Sequence, residues 1–590
     1  MPKLLDRRQF IISATAGLAG ATVASESALA LPTTDSTNAP ITGAPDRATS
    51  SQDSEISLQT LMSAEKLADL PFTSPELEPL VKGAVDRAKL YTALRTKPIP
   101  NALFPALNFE PKMAGIYPRP GAVRTKQKWD VPVIDRPVTP ENLAFFTVHQ
   151  LARLLREGRT TSRELTEISI DRIKRFDPAL NAVITLTKER ALRQADTADN
   201  TLKSNGPGGL LLGIPWGIKD MFSVKGYPTT WGAHPFRDQY LDKDAEVVQR
   251  LDQAGAVLVA KLSLGALAGG DKWFRGQTKC PWNLDIGADG SSAGPAAAVS
   301  AGIVPFAIGS ETFGSLMDPC TRNGVSGLRP SYGRISRFGV MNLSWSMDKV
   351  GPVARSAEDL ALVFDTLHGA DSKDPTAIDA PFDWQPISRL DDIRIGFKPS
   401  CFEGSDERDK CNQRSLEILK QLGAILVPIR YPEGPLKALG IIQSVEAAAA
   451  FDDLTLSGEV DHLLPSLPNI RSNWFRGSRF IPAVEYVQAN RIRTSIMHDL
   501  EDECKLSGVD VWVAPSENTE TLILTNLTGH PAVCVLDGLI PVNPERLDSP
   551  RRTCSGIAFM SRLYRDELAL AVAAAFQQAT TWHLQRPPIV

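Results

Sequence analysis

The stretch "DGSSAGPAAAVSAGIVPFAIGSETFGS", Asp289 to Ser315, decides how the rest of the chain is read. Ser291 and Ser292 stand among small residues just before "AAAVSAG", which reads as a small-residue helix. Pro295 suits the first helical turn, where its missing N–H costs little. "IVPFAIG" then reads as a buried strand. "ETFGS" closes on Ser315, with Gly314 before it and the bulky Phe313 one position earlier. Small residues around a serine suit a backbone that must approach a reacting atom. Taken alone, Ser291 and Ser292 equally fit a helix N-cap, and Ser315 an ordinary loop serine.

Outward from this stretch, helices alternate with short apolar runs. "AEVVQRLDQAG" is a helix ending at Gly255, and "AVLVAK" after it is a buried strand. "NQRSLEILKQLGA" with "ILVPI", and then "VDVWVAP", continue the alternation. Upstream, Thr147 and Gln150 form a capping-box pair at the start of "FTVHQLARLLREGRT", which closes at Gly158. Thr161 and Glu164 open a second helix that is expected to stop at Pro178. The alternation predicts an α/β fold with helices on both faces of a sheet. The region 435 to 500 reads as mostly helical.

The ends of the chain read differently. Residues 1–30 carry Arg7-Arg8, then Phe10, a weakly apolar run, and Ala28-Leu29-Ala30, the order of a secretory signal with an A-x-A cleavage site. The paired arginines resemble a twin-arginine signal and imply a periplasmic or secreted protein. Residues 31–56 are rich in Ser, Thr, Pro and Asp and read as a disordered linker. Residues 57–135 show helical spacing in "TLMSAEKLADL" and "LEPLVKGAVDRAKLYTALRT", then Pro98, Pro100 and Pro105, giving a helical and extended arm. The main domain is expected over 136–590.

Composition narrows the function. The 590 residues are 43% hydrophobic and 22% charged with a formal net charge of −4, so nothing marks a nucleic-acid binder. The seven cysteines are scattered and form no C-x-x-C pair. No H-E-x-x-H and no G-x-x-x-x-G-K-[ST] occurs, and neither metal nor cofactor is expected. No later run of about 18 apolar residues suggests a membrane span.

Lys219 ends the apolar, Gly-flanked "LGIPWGIKDMF". A lysine desolvated there loses proton affinity and becomes a plausible base, although many such lysines only snorkel to the surface. With "DGSSAGPAAAVSAGIVPFAIGSETFGS", "GIPWGIKD", "PSYGRISRFGV", "SMDKVGPVARSAEDLALV", "NLTGHPAV" and "FQQATTWH", the chain resembles the amidase signature family. The resemblance is densest from about 140 to 370. It implies a layered α/β/α domain with a mixed central sheet. It also implies a Ser–cis-Ser–Lys triad whose serines lie 24 positions apart, as Ser291 and Ser315 do.

In that reading Ser315 is the nucleophile, Ser291 the cis-peptide relay and neutral Lys219 the base. The N–H groups of Thr312, Phe313, Gly314 and Ser315 form the oxyanion hole. The implied substrate is a small-molecule amide, and a homodimer is open. The family branch that acts on charged tRNA is disfavoured by export. The chain departs from the family's usual Gly-Gly-Ser-Ser-Gly-Gly-Ser at Asp289, Ala293 and Pro295, from a Gly at Phe313 and from an Arg at Met317; Asp318 is also unusual. Arg322 is a candidate substitute for that Arg. These departures keep open an amidase-like ligand-binding protein with impaired turnover. "GSSAG" also fits a nucleophile elbow with Ser292 as nucleophile, but it lacks a good preceding strand and a designated histidine.

Overall fold

The computed structural model describes residues 56–589, apart from 71, 95–98, 106, 108, 124–128, 130–132, 205–207, 465–469, 544 and 547–548. The proposed signal segment 1–30 and the linker up to residue 55 lie outside the described residues.

Eleven strands form one sheet: β1 (Val183–Leu186), β2 (Pro215–Lys219), β3 (Val257–Leu262), β4 (Phe306–Glu311), β5 (Ser326–Arg329), β6 (Lys349–Ala354), β7 (Arg394–Phe397), β8 (Ile425–Pro428), β9 (Val511–Pro515), β10 (Ala532–Pro541) and β11 (Arg552–Ser561). Their order across the sheet is β1-β3-β2-β4-β6-β5-β10-β11-β9-β7-β8. The sheet is mixed. Next to the antiparallel edge strand β1, strands β3, β2 and β4 run parallel, and β9, β7 and β8 run parallel at the other end. Antiparallel pairs fill the middle.

Strand alternation sorts the core into two layers, because successive side chains leave a strand on opposite faces. Phe306 and Ile308 of β4, Val511 and Val513 of β9, and Ile557 and Phe559 of β11 enter one apolar cluster. Ala307, Trp512, Ala514, Ala558 and Met560 enter the other. The helices Ala357–Leu367 and Asp566–Thr580 contribute to the first layer, and Ser162–Leu180 and Ala293–Ser300 to the second. Helices thus cover both faces, as the alternation in sequence predicts.

Two expectations need correction. The helix opened by Thr161 continues through Pro178 to Leu180. Proline so near a C-terminus removes one bond only, and the turn is closed by Asn181 at φ 52°, whose N–H donates to Asp177 O at 2.8 Å. Ser292 occupies the N-cap position of Ala293–Ser300, yet its side chain makes no cap bond. Its hydroxyl is engaged elsewhere, as described below.

The arm begins with the helices Leu58–Leu67, Ser74–Leu77 and Val81–Leu94. Further along the arm a short 3-10 turn spans Pro111–Ala114. Ala114 and Ile116 pack with Met497, Leu563 and Tyr564 in a small satellite core. Among the described residues, no helix is long and apolar enough to cross a membrane.

Candidate active site

β2 and β4 are neighbouring parallel strands, with Ile218 opposite Ile308, so their carboxyl ends open on the same edge of the sheet. Such an edge is where α/β sheets place their ligands. β2 ends on Lys219, and β4 ends on Ser310 and Glu311 and runs into residues 312–315. The loop before Ala293–Ser300 meets the same edge, where Ser292 N–H donates to Ser315 O at 3.0 Å. The peptide Gly290–Ser291 is cis.

Lys219 is completely buried. Its Nζ lies 2.8 Å from Ser291 Oγ, 2.9 Å from Ser310 Oγ, 3.1 Å from Ser292 Oγ and 3.4 Å from Ser310 O. Burial pulls its pKa down to about 7, against the opposing pull of Asp348 and Glu311. Near neutral pH the amine therefore carries a lone pair for a substantial fraction of the time.

The surrounding hydroxyls differ in what they can give that lone pair. Ser292 Oγ donates to Ser310 O at 3.0 Å and accepts from Ser310 N–H at 3.2 Å. Ser310 Oγ donates to Met221 Sδ at 2.9 Å. A hydroxyl has one proton to give, so Ser292 and Ser310 have committed theirs. Ser291, whose hydroxyl bonds to Lys219 alone among the described residues, is left to exchange a proton with the amine. This geometry also removes the elbow reading of Ser292, whose partners are Ser310 and Lys219 rather than a histidine. A built Cβ on Gly309 would lie 2.8 Å from Ser292 Oγ, so a residue without a side chain lets that serine sit there.

Ser315 is half-buried, and its hydroxyl makes no hydrogen bond to another described residue. No bond links the hydroxyls of Ser291 and Ser315. The N–H groups of Thr312, Phe313, Gly314 and Ser315 likewise donate to no other described residue. Four unengaged donors in succession, beside a free hydroxyl, can hold a negatively charged oxygen. The left-handed backbone of this turn falls on Gly314, at φ +77°, and not on Phe313. Phe313 is half-buried and packs against the second apolar layer.

Sequence reasoning missed the groups that fix this turn. Glu311 is fully buried and its Oε2 accepts from the N–H groups of Leu316 and Met317, each at 2.9 Å. Its Oε1 accepts from Arg329 Nη1 and Asn526 Nδ2, each at 2.8 Å. Thr312 Oγ1 donates to Asp348 Oδ1 at 2.5 Å. Arg322 instead lies 3.4 Å from Asp289 Oδ2, so Glu311 is what holds the segment after Ser315. The only sequence signal for Ser310 and Glu311 was their place at the end of a strand beside β2, and register is not legible without the sheet.

Residues 164–540 match the Amidase family. A glutamyl-tRNA(Gln) amidotransferase subunit of Halorhodospira halophila is 33% identical over 482 residues, covering 75% of this chain and 98% of that protein. The native peptide amidase of Stenotrophomonas maltophilia superposes with a TM-score of 0.67 at 26% identity, covering 76% of this chain and 99% of that one. An amidase family protein of Bacillus anthracis superposes with a TM-score of 0.67 at 24% identity, covering 76% and 93%. The chain belongs to the amidase signature family, hydrolases that act on carbon–nitrogen bonds.

Proposed function

We propose that this protein is an exported amidase that cleaves a small carboxylic amide, or the corresponding ester, through an acyl-enzyme on Ser315. The observation that carries the reading is the buried contact between Lys219 Nζ and Ser291 Oγ, 2.8 Å, beside a turn of unengaged N–H groups. Neutral Lys219 takes a proton from Ser291 as Ser291 takes one from Ser315, and Ser315 Oγ bonds to the substrate carbonyl carbon. The carbonyl oxygen becomes an oxyanion, held by the N–H groups of residues 312–315; one such donor is typically worth about 3 kcal/mol. The proton returns through Ser291 to the leaving nitrogen, the C–N bond breaks, and ammonia or amine departs. Water then attacks the acyl-Ser315 ester by the same relay and releases the acid.

Export rests on Arg7-Arg8 and Ala28-Leu29-Ala30. It separates the proposed substrate from the charged tRNA named for the Halorhodospira halophila relative. Replacing both arginines with lysine is expected to leave precursor in the cytoplasm; normal export of that variant rejects the twin-arginine route.

Labelling with a fluorophosphonate probe, followed by peptide mapping, tests the site without knowledge of the substrate. The label is expected on Ser315 and absent from Ser315→Ala. Turnover of an amide and ester panel, measured beside a ligand-binding screen, separates the hydrolase from a protein that only binds. Binding without labelling or turnover would establish the second.

A further inference from the structure

One side chain of the arm, Asn101, meets the loop from Met341 to Asp348 directly, and two more, Phe104 and Phe109, pack on side chains that hold that loop. Asn101 pairs with Asn342 in both directions. Its Oδ1 accepts from Asn342 N–H at 2.8 Å, and its Nδ2 donates to Asn342 O at 2.8 Å and to Ala450 O at 3.3 Å. Asn342 Nδ2 donates back to Asn101 O at 3.2 Å. A carboxamide carries donor and acceptor in one plane, so it pairs with a peptide group as a neighbouring strand would. Phe104 lies under the guanidinium of Arg337 at 5.0 Å, and Arg337 Nη1 donates to Trp345 O at 2.8 Å. Phe109 meets Tyr332 edge-on at 5.0 Å and lies 3.6 Å from the guanidinium of Arg493, which in turn donates to Ser346 O and Oγ.

The loop so held faces the nucleophile turn. Leu343 and Ser344, the two residues after Asn342, give their N–H groups to Asp348 Oδ2 at 2.7 and 3.0 Å. The other oxygen of that carboxylate accepts from Thr312 Oγ1 at 2.5 Å. An unbroken series of hydrogen bonds and one short run of backbone thus joins Asn101 to the first residue of the four unengaged donors. Asn342 is buried, so water does not readily replace the carboxamide if it is removed.

We infer that the N-terminal arm is part of the catalytic apparatus: Asn101 is a positioning residue that fixes Thr312, and with it the oxyanion-binding turn, through Asn342 and Asp348. The inference rests on the proposed role of residues 312–315. It gives an arm that contributes no group to the chemistry a specific effect on it. A positioning residue of this kind changes transition-state binding more than substrate binding, so its loss lowers kcat and leaves KM nearly constant.

The test uses the full mature protein and four variants: Asn101→Ala, Asn101→Asp, Thr312→Val and the double Asn101→Ala/Thr312→Val. Leu103→Ala, an exposed change in the same segment, is the control. The fluorophosphonate labelling rate at Ser315 is read for each, with kcat and KM on an amide found by the panel and with thermal unfolding. Asn101→Ala is expected to lower kcat and the labelling rate about tenfold, with KM unchanged, and to add little to Thr312→Val. Asn101→Asp keeps the acceptor for Asn342 N–H and loses both donors, so it serves if the alanine variant does not fold, and it is expected to be slowed in the same sense. Wild-type labelling rates in both Asn101 variants, or an effect fully additive with Thr312→Val, would overturn the inference while the site reading stands. A wild-type protein that never labels at Ser315 removes the site reading, and this inference with it.

Discussion

Lys219 Nζ lies 2.8 Å from Ser291 Oγ, and both side chains are shielded from solvent. Burial strips the hydration from the amine in that position and lowers its pKa to about 7, against the opposing pull of Asp348 and Glu311.

The first consequence is a pH profile. If the neutral amine is the base, kcat rises as pH passes through about 7 and then levels off. A rate measured from about pH 5 to 10 that stays flat, or falls through neutrality, rejects Lys219 as base. Lys219→Ala, Ser291→Ala and Ser315→Ala are each expected to lower kcat at least about a thousandfold, and pairs of them little further, because the three act as one unit.

The same shift carries a stability cost. Lys219 titrates near 10.5 unfolded and about 7 folded, so between those values the unfolded chain holds more protons and stability rises with pH. Below pH 7 the cost of burying the lysine is present in full. Lys219→Met is therefore expected to be inactive yet more thermostable at pH 7, with the gain shrinking as pH approaches 10.5. Lys261 and Lys349, also lowered by burial, keep part of the same slope in the variant. Thermal melts at two pH values check this, and a variant that melts lower at pH 7 counts against it.

Glu311 shows the opposite sign. Burial pushes its carboxyl up, but Arg329 and the N–H of Met317 outweigh that and hold it at about 2. The stabilisation is complete above 4.5 and is lost as pH falls towards 2. Glu311→Gln leaves Arg329 buried without its charge partner and is expected to cost about 3–5 kcal/mol. It also weakens the hold on Leu316 and Met317, so kcat falls with it. Denaturant unfolding at neutral pH measures the loss; a change under about 1 kcal/mol would show that Glu311 does not brace the turn.

The alternation of helix and strand was legible because buried parallel strands such as "AVLVAK" and small-residue helices such as "AAAVSAG" leave short, distinctive patterns. β1, β2, β5, β6, β7, β10 and β11 were not read as strands: some are only four residues long, such as Val183–Leu186, and others are Gly- or Pro-containing runs without a clean period, such as Lys349–Ala354. Within the site, Lys219, Ser291 and Ser315 stood in recognisable motifs, and the fold brings the ends of those motifs to one edge of the sheet. Ser310, Glu311 and Asp348 were not legible as partners, because their roles depend on strand register and on a loop closing over distant sequence. Asn101 was less legible still: a single polar residue between prolines acquires meaning only from the backbone it meets.

Phe313 and Gly314 divide the work of the nucleophile turn. The positive φ is at Gly314, so Phe313 adopts its place without left-handed strain, and its N–H remains unengaged. Its ring packs on the second apolar layer, half-buried beside Ser315. Phe313→Gly is then expected to retain Ser315 labelling, because the donor at 313 belongs to the backbone. It is expected to cost about 2 kcal/mol through lost burial and added chain freedom. It should also raise kcat/KM for bulky anilides relative to small ones, because removing a half-buried ring two residues from the nucleophile opens room there. Gly314→Ala is the contrasting change: a Cβ there would lie 2.3 Å from Asp318 Oδ2 on a backbone that L residues rarely adopt. The turn must deform to accept it, so labelling and turnover are expected to fall about a hundredfold or more, in line with loss of one oxyanion donor. Rates for both variants on paired small and bulky anilides decide the matter. If Phe313→Gly loses labelling while Gly314→Ala keeps it, the division of roles between the two residues is wrong.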